Sequence, residues 1–312
     1  MSYPSVGGKS VTNTNYPGIQ DPGTIIETAA GKIEYGTAGE GPVVLVVHGA
    51  PGGYDQGLGL ARIFTERGMR VLAPSRPGYL GTPLDTGRTI AEQADALAAL
   101  LDALGIDKVA VVGTSAGGPI AYTLAARHAD RVSCLVAVDG VSQRYVIPAQ
   151  AGKVEQALFL SDFGERLVHA LMAHFPGLVI SDLLSTEGYL TSKEQHERVK
   201  QVVADPEKLR AVKVLCNSMN PYRLRKAGVD NDLIQLAGID NLPLSEIKAP
   251  SLIIHGTADA DVQFRDGDHA ASTIAAAQHL WINRGTHLCF WLSPQATEVQ
   301  EQAVAFVKAH MQ

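Results

Sequence analysis

Six short apolar runs set the terms for what this chain can fold into: VVLVVHG (43–49), RVLAPS (70–75), VAVVG (109–113), SCLVAVDG (133–140), SLIIHG (251–256) and QHLWIN (278–283). Most are rich in β-branched residues and lack the polar alternation of a half-exposed strand. Such runs mark parallel strands buried on both faces, and parallel neighbours need a long crossover between them. Helix-compatible segments fill several of the gaps. In IAEQADALAALLDALG, the preceding Thr89 has capping-box spacing to Glu92. Leu97, Leu100, Leu101 and Leu104 share helical spacing, and Gly105 supplies a stop. A second helix is expected from Ser115 through AGGPIAYTLAARHA. Upstream, TIIETAAGKIEYG reads as two strands around a turn at Ala30–Gly31. Eight strands result. Their alternation with helices predicts the α/β class: an open, mostly parallel sheet with helices on both faces.

The rhythm breaks after Asp139. From residue 142 to 248 no run reads as a buried strand, whereas ALFLSDFGERLVHALMAHF and EQHERVKQVVADPEKLRAVKVL read as helical. This predicts a helical cap (142–248) inserted into a core formed by 24–141 and 249–312. Residues 1–23, with their Gly, Pro, Asn and Ser content, read as an irregular N-terminal arm. A length of 312 residues with 46 % hydrophobic and 19 % charged residues excludes global disorder. The net charge of −6, with no Lys/Arg cluster, leaves no nucleic-acid footprint. The first residues lack a secretory pattern, and no run approaches the roughly 18 apolar residues of a membrane span. A soluble, cytoplasmic protein is expected, with no nucleic-acid or membrane partner; monomer and homodimer both stay open.

Cys134, Cys216 and Cys289 are odd in number and far apart, which fits reduced thiols rather than a disulfide framework. No metal or organic cofactor is expected. The chain has no metal-spaced His/Cys cluster and no G-x-G-x-x-G turn after its first core strand.

The chemistry concentrates on loops that follow strands. Ser115 lies in GTSAG (113–117), between VAVVG and a helix-compatible segment. A strand-to-helix turn exposes a serine oxygen at a helix N-terminus, where free N–H groups and the dipole favour negative charge. HGAPGG (48–53) follows VVLVV, and its small residues let backbone approach a substrate. The backbone N–H groups of Ala50 and Ala116 are the candidate donors to a tetrahedral oxyanion. His287, in NRGTHL after the last strand, is the candidate base. Asp259, in HGTADADV (255–262), is the candidate carboxylate behind it, with Asp261 and Asp139 as rivals. His48 and His255 read as structural. The chain order Ser115, Asp259, His287 is that of nucleophile-elbow hydrolases.

HGAPGG (48–53), SRPGYLGT (75–82), GTSAGG (113–118), HGTADADV (255–262) and GTH (285–287) together resemble the α/β-hydrolase fold family, from about Thr24 to Gln312. The resemblance implies an eight-stranded sheet, a lid between the sixth and seventh strands, and hydrolysis through a covalent acyl intermediate. The family often carries Asp where Ser75 stands. HGAPGG is similar to the HGGPG of the proline iminopeptidase branch, and Ser115 disfavours the Asp-nucleophile members. The leading expectation is hydrolysis of small to medium, fairly apolar carboxylic esters. Alternatives are a carbon–carbon bond hydrolase of meta-cleavage-type products, an aminopeptidase drawing on Glu155, Glu165, Glu187 or Glu194, and a ligand-binding receptor on a hydrolase scaffold. Leu158, Phe159, Phe163, Leu167 and Leu171 form apolar cap stripes suited to core or to pocket lining.

Overall fold

In the computed structural model, residues 11–14 (backbone), 22–147, 170–275 and 277–311 are described. They build a nine-stranded sheet: β1 (Val11–Thr14), β2 (Gly23–Thr28), β3 (Gly31–Ala38), β4 (Val43–Val47), β5 (Arg70–Pro74), β6 (Val109–Thr114), β7 (Val132–Val138), β8 (Ser251–Gly256) and β9 (Ala277–Ile282). Their order is β1-β2-β3-β5-β4-β6-β7-β8-β9. The first three pairings are antiparallel and all from β5 onward are parallel. The eight expected strands are present. The ninth corrects the irregular arm. Val11–Thr14 pairs with β2, giving a polar, β-branched segment the open backbone edge that β2 offers.

Successive residues of the central strands face opposite layers. Leu45 and Val47 join the cluster under α3 (Ile90–Leu104) and α4 (Gly118–Arg127). Val44 and Val46 join the cluster under α1 (Tyr54–Leu60), α2 (Arg62–Glu66) and the last helix, α11 (Ala296–His310). The Thr89–Glu92 capping box forms reciprocally, and Gly105 ends α3 in the left-handed region at φ 64°. β9 departs from the buried-strand expectation: it lies at the sheet's edge, and most of it is only partly buried.

Between β7 and β8 the described residues form α5 (Pro176–Thr186), α6 (Ser192–Ala204), α7 (Pro206–Ser218) and α8 (Lys226–Ala237). Residues 170–174 are also helical. The second predicted cap helix is interrupted at Asp205-Pro206. The Asp205 carboxylate accepts from the Glu207 and Lys208 N–H groups, so one helix ends and the next begins there. Leu158, Phe159, Phe163 and Leu167 lie outside the described residues. Leu171 packs with a cap cluster that includes Ile180, Leu184, Val202 and Val212. The short α10 (Cys289–Leu292) carries Leu292 into the same cluster and so joins cap to core. α9 (Phe264–Thr273) bridges β8 and β9. No helix among the described residues is long and apolar enough to cross a membrane.

Candidate active site

β6 delivers Ser115 directly into a 3-10 turn, Ser115–Gly117, that leads into α4. Ser115 adopts φ 51°, a left-handed conformation that a residue with a side chain occupies only at a cost. The turn is held by contact as well as by hydrogen bonds. A Cβ on Gly117 would lie 2.4 Å from the Val47 carbonyl oxygen, so only glycine lets α4 start this close to β4. The Ser115 carbonyl accepts from the Val141 N–H at 3.1 Å.

Three side chains from three loops meet in one hydrogen-bonded line. Ser115 Oγ lies 2.9 Å from His287 Nε2, and His287 Nδ1 lies 2.9 Å from Asp259 Oδ2. The second oxygen of Asp259 accepts from the Asp261 and Val262 N–H groups, both at 2.9 Å. Burial penalises the Asp259 charge, but His287 and His255, both beside its Oδ2, outweigh it, and its carboxyl is held below the usual range. Burial likewise opposes an imidazolium at His287. Asp259, Asp261 and Glu187 together reverse this and raise it well above the ordinary histidine value.

The rival carboxylates take other positions. Asp139, at the end of β7, accepts from the Gly256 N–H at 3.0 Å and contacts the Cys289 thiol. Burial pushes its carboxyl up to about 7. Asp261 accepts from the Tyr145 hydroxyl at 2.5 Å, and its Oδ2 stands 3.5 Å from His287 Nε2, on the open side of the site. His48 is structural, as expected: it accepts from the Arg76 N–H at Nε2 and donates from Nδ1 to the Gly49 carbonyl. Burial and Arg76 hold it well below the ordinary value, hence neutral. His255 Nε2 donates to the Val262 carbonyl beneath the Asp259 loop. Cys289 packs behind Asp139 and is fully buried.

The loop carrying Ala50 lies over the serine, since a Cβ on Gly49 would be 3.1 Å from Ser115 Cβ. Two buried arginines hold this loop by its carbonyls. Arg76 donates to the His48 carbonyl and forms a two-pronged pair with Asp232 of α8, at 2.8 and 2.6 Å. Arg225 donates to the Gly52 carbonyl at 2.6 Å and pairs with Asp55 of α1. Both tie the cap to the loop that carries one candidate oxyanion donor. The missing aspartate at Ser75 also has an answer. Glu34 of β3, fully buried, accepts from Ser75 Oγ and from the Gly81 N–H, so a carboxylate reaches the same loop from the adjacent strand.

Sequence reasoning did not single out the next feature, the cap segment at the end of α5. The Glu187 carbonyl accepts from the Ala260 N–H (3.2 Å) and from the His287 N–H (3.0 Å), while Tyr189 donates to the Ala258 carbonyl (2.8 Å). Gly188 and Asp259 form an isolated β-bridge. The helical insertion therefore stitches together the loops of Asp259 and His287. The Glu187 side chain turns into the site, where burial pushes its carboxyl up to about 8 and one oxygen is buried without a partner. Of the other cap glutamates weighed from sequence, Glu155 and Glu165 lie outside the described residues. Glu194 closes a capping box and pairs with Arg284.

These groups open into one cleft. Leu60, Leu183, Leu215, Met219 and Trp291 give it an apolar wall, and Asp139, Glu187 and Asp261 give it an acidic one. No lysine or arginine is among its described lining residues. Folding brings together two sets of potential metal ligands that sequence spacing does not show. They are Asp139–His255–Asp259 and Glu187–Asp261–His287, the ligand atoms of each set lying within 4.8 Å of one another.

Residues 42–292 match the model of the alpha/beta hydrolase fold. A solved alpha/beta hydrolase fold protein from Nakamurella multipartita is 43 % identical, with a TM-score of 0.88, over 92 % of this chain and 99 % of that one. The hydrolase YcgS of Bacillus subtilis (strain 168) is 27 % identical over 89 % of this chain and 96 % of its own length. A 2-hydroxy-6-oxo-6-phenylhexa-2,4-dienoate hydrolase of Burkholderia cepacia is 25 % identical over 83 % of this chain and 86 % of its own. With the sheet order, the helical insertion between β7 and β8 and the match over most of its length, the chain is a hydrolase of the alpha/beta hydrolase fold family.

Proposed function

We propose that this chain is a serine hydrolase that cleaves small to medium carboxylic esters through an acyl-enzyme on Ser115. The observation that carries this reading is the hydrogen-bonded line from Ser115 Oγ through His287 to Asp259, opening into a partly apolar cleft. In this mechanism neutral His287 takes the Ser115 proton as Oγ attacks the ester carbonyl. The N–H groups of Ala50 and Ala116 receive the oxyanion, where preorganised donors act most strongly. Asp259 stabilises the imidazolium, which then protonates the leaving alcohol at Nε2. Water, activated by His287, releases the acid and restores Ser115.

A second reading is favoured by the Burkholderia cepacia relative, named as a dienoate hydrolase. The same triad would serve a carbon–carbon bond hydrolase. Against it stands the composition of the cleft: a dienoate is an anion, and the described wall offers three carboxyl groups and no lysine or arginine. Hydrolysis of esters that carry no anionic group fits that wall better.

The test is a p-nitrophenyl ester series run with wild type and Ser115→Ala. We expect burst kinetics and turnover by wild type. The variant should lose about 10⁴-fold or more in kcat, since removing a triad nucleophile leaves only the residual catalysis of binding and oxyanion donors. Equal rates in both proteins would remove Ser115 from the mechanism. Cleavage of a dienoate in preference to every ester would favour the second reading.

A further inference from the structure

The acidic wall of the cleft has a defined position relative to the proposed reaction, and that position specifies a substrate. His287 Nε2 is the atom that hands its proton to the leaving alcohol, so whatever lies beside Nε2 faces the alcohol rather than the acyl group. Asp261 Oδ2 lies 3.5 Å from that nitrogen, and a Glu187 carboxyl oxygen lies within 4.8 Å of an imidazole nitrogen of His287 and of an Asp261 carboxyl oxygen. The loop carrying Ala50 covers Ser115 separately, where Gly49 approaches its Cβ.

Glu187 is otherwise hard to account for. One of its oxygens is buried without a partner. A carboxylate oxygen that is desolvated without a partner is unfavourable, so this half-buried acid beside the cleft calls for a cation or a proton. Apart from His287, which must be neutral to act as base, the described lining supplies no cation there. No lysine or arginine is among the described lining residues, and the buried Arg76 and Arg225 are paired with Asp232 and Asp55. The structural role of Glu187 resides in its backbone carbonyl, which holds Ala260 and His287, and this leaves the side chain free for the cleft.

We infer that Glu187, with Asp261, selects esters whose leaving alcohol carries a protonated amine. This deepens the ester-hydrolase reading and rests on it. The ammonium N–H would donate to the Glu187 carboxyl, and its charge would favour the ionised form of that carboxyl.

Two isosteric esters test the inference: 2-(dimethylamino)ethyl butyrate, cationic at neutral pH, and 3-methylbutyl butyrate, in which a C–H replaces the ammonium N–H. Wild type should prefer the cationic ester in kcat/KM by about 10-fold or more, the range of a hydrogen bond to a charged group. Glu187→Gln, which keeps the backbone carbonyl, should bring that ratio close to one; the ratio is the readout, whatever happens to either rate alone. Equal kcat/KM for the two esters in wild type, or a ratio unchanged in Glu187→Gln, would overturn the inference while leaving ester hydrolysis standing. Calorimetric binding of both esters to Ser115→Ala decides the inference even without turnover. Tighter binding of the cation supports it, equal binding overturns it, and absence of hydrolysis by wild type counts against the ester-hydrolase reading alone.

Discussion

Holding Ser115 at φ 51° stores backbone strain that an ordinary helix cap would avoid, and the strain coincides with the serine that faces His287. His287 itself carries the clearest pH prediction. Burial lowers its proton affinity, but Asp259, Asp261 and Glu187 raise it further than burial lowers it. The proposed base must be neutral, so kcat/KM should fall as pH drops through the His287 pKa. That acid limb should lie above the ordinary value of about 6.5. Asp261→Asn removes one raising charge and should move the limb to lower pH. A wild-type limb at or below 6.5, or one that Asp261→Asn leaves in place, would contradict this electrostatic account. At this scale much was legible in the sequence. Ser115, Asp259 and His287 each follow an apolar strand in the right chain order, and the structure brings all three together. Glu34 was not legible, because its partner Ser75 is 41 positions away and lies on a neighbouring chain segment. Glu187 could not be separated from Glu194 by composition. The T-x-x-E spacing at Thr191–Glu194 was a signal, which sequence reasoning did not single out, that the latter closes a helix N-terminus.

The elements that position the site are short and come from both core and cap. The segment 187–189 ends α5 and bonds to the loops of Asp259 and His287 at once. Gly188 is its tightest point: a Cβ there would lie 2.2 Å from Thr286 Cγ2, and Thr286 is fully buried. Gly188→Ala should therefore push these loops apart. The expected outcome is a fall in kcat of about 10-fold or more with KM nearly unchanged, since a small misplacement of reacting groups costs about 10²-fold. Steady-state kinetics on one good ester checks this; a wild-type kcat would show that the stitch does not set the triad geometry. Element existence was readable from periodicity, and the reciprocal Thr89–Glu92 box formed as the spacing implies. Two features were missed for local reasons. β1 has only four residues and gains its pairing from β2, so its own sequence gives little signal. The break at Asp205-Pro206 had a signal, a capping residue followed by proline, which the apolar periodicity on either side masked.

Across the whole molecule, cap and core are joined by buried charge as well as by apolar contact. The Arg76–Asp232 pair is almost fully buried and links α8 to the loop over Ser115. Asp232→Asn would leave the Arg76 guanidinium buried without its counter-charge. It should destabilise the protein by about 3–5 kcal/mol, measurable by urea unfolding. A loss below about 1 kcal/mol would mean that this ion pair contributes little to holding the two together. Nothing in the sequence joined positions 76 and 232, because long-range ion pairs leave no periodic trace; the helical insertion that carries Asp232 was readable only as a break in the strand rhythm. The central claim is that this assembled cleft forms a covalent acyl-enzyme on Ser115. Rapid quenching of wild type with a p-nitrophenyl ester, followed by intact-mass and peptide mass analysis, tests it most directly. The account predicts one acyl group added per chain, mapped to the peptide that contains Ser115 and absent in Ser115→Ala. Turnover without any acyl adduct, or an adduct on another residue that persists in Ser115→Ala, would contradict it.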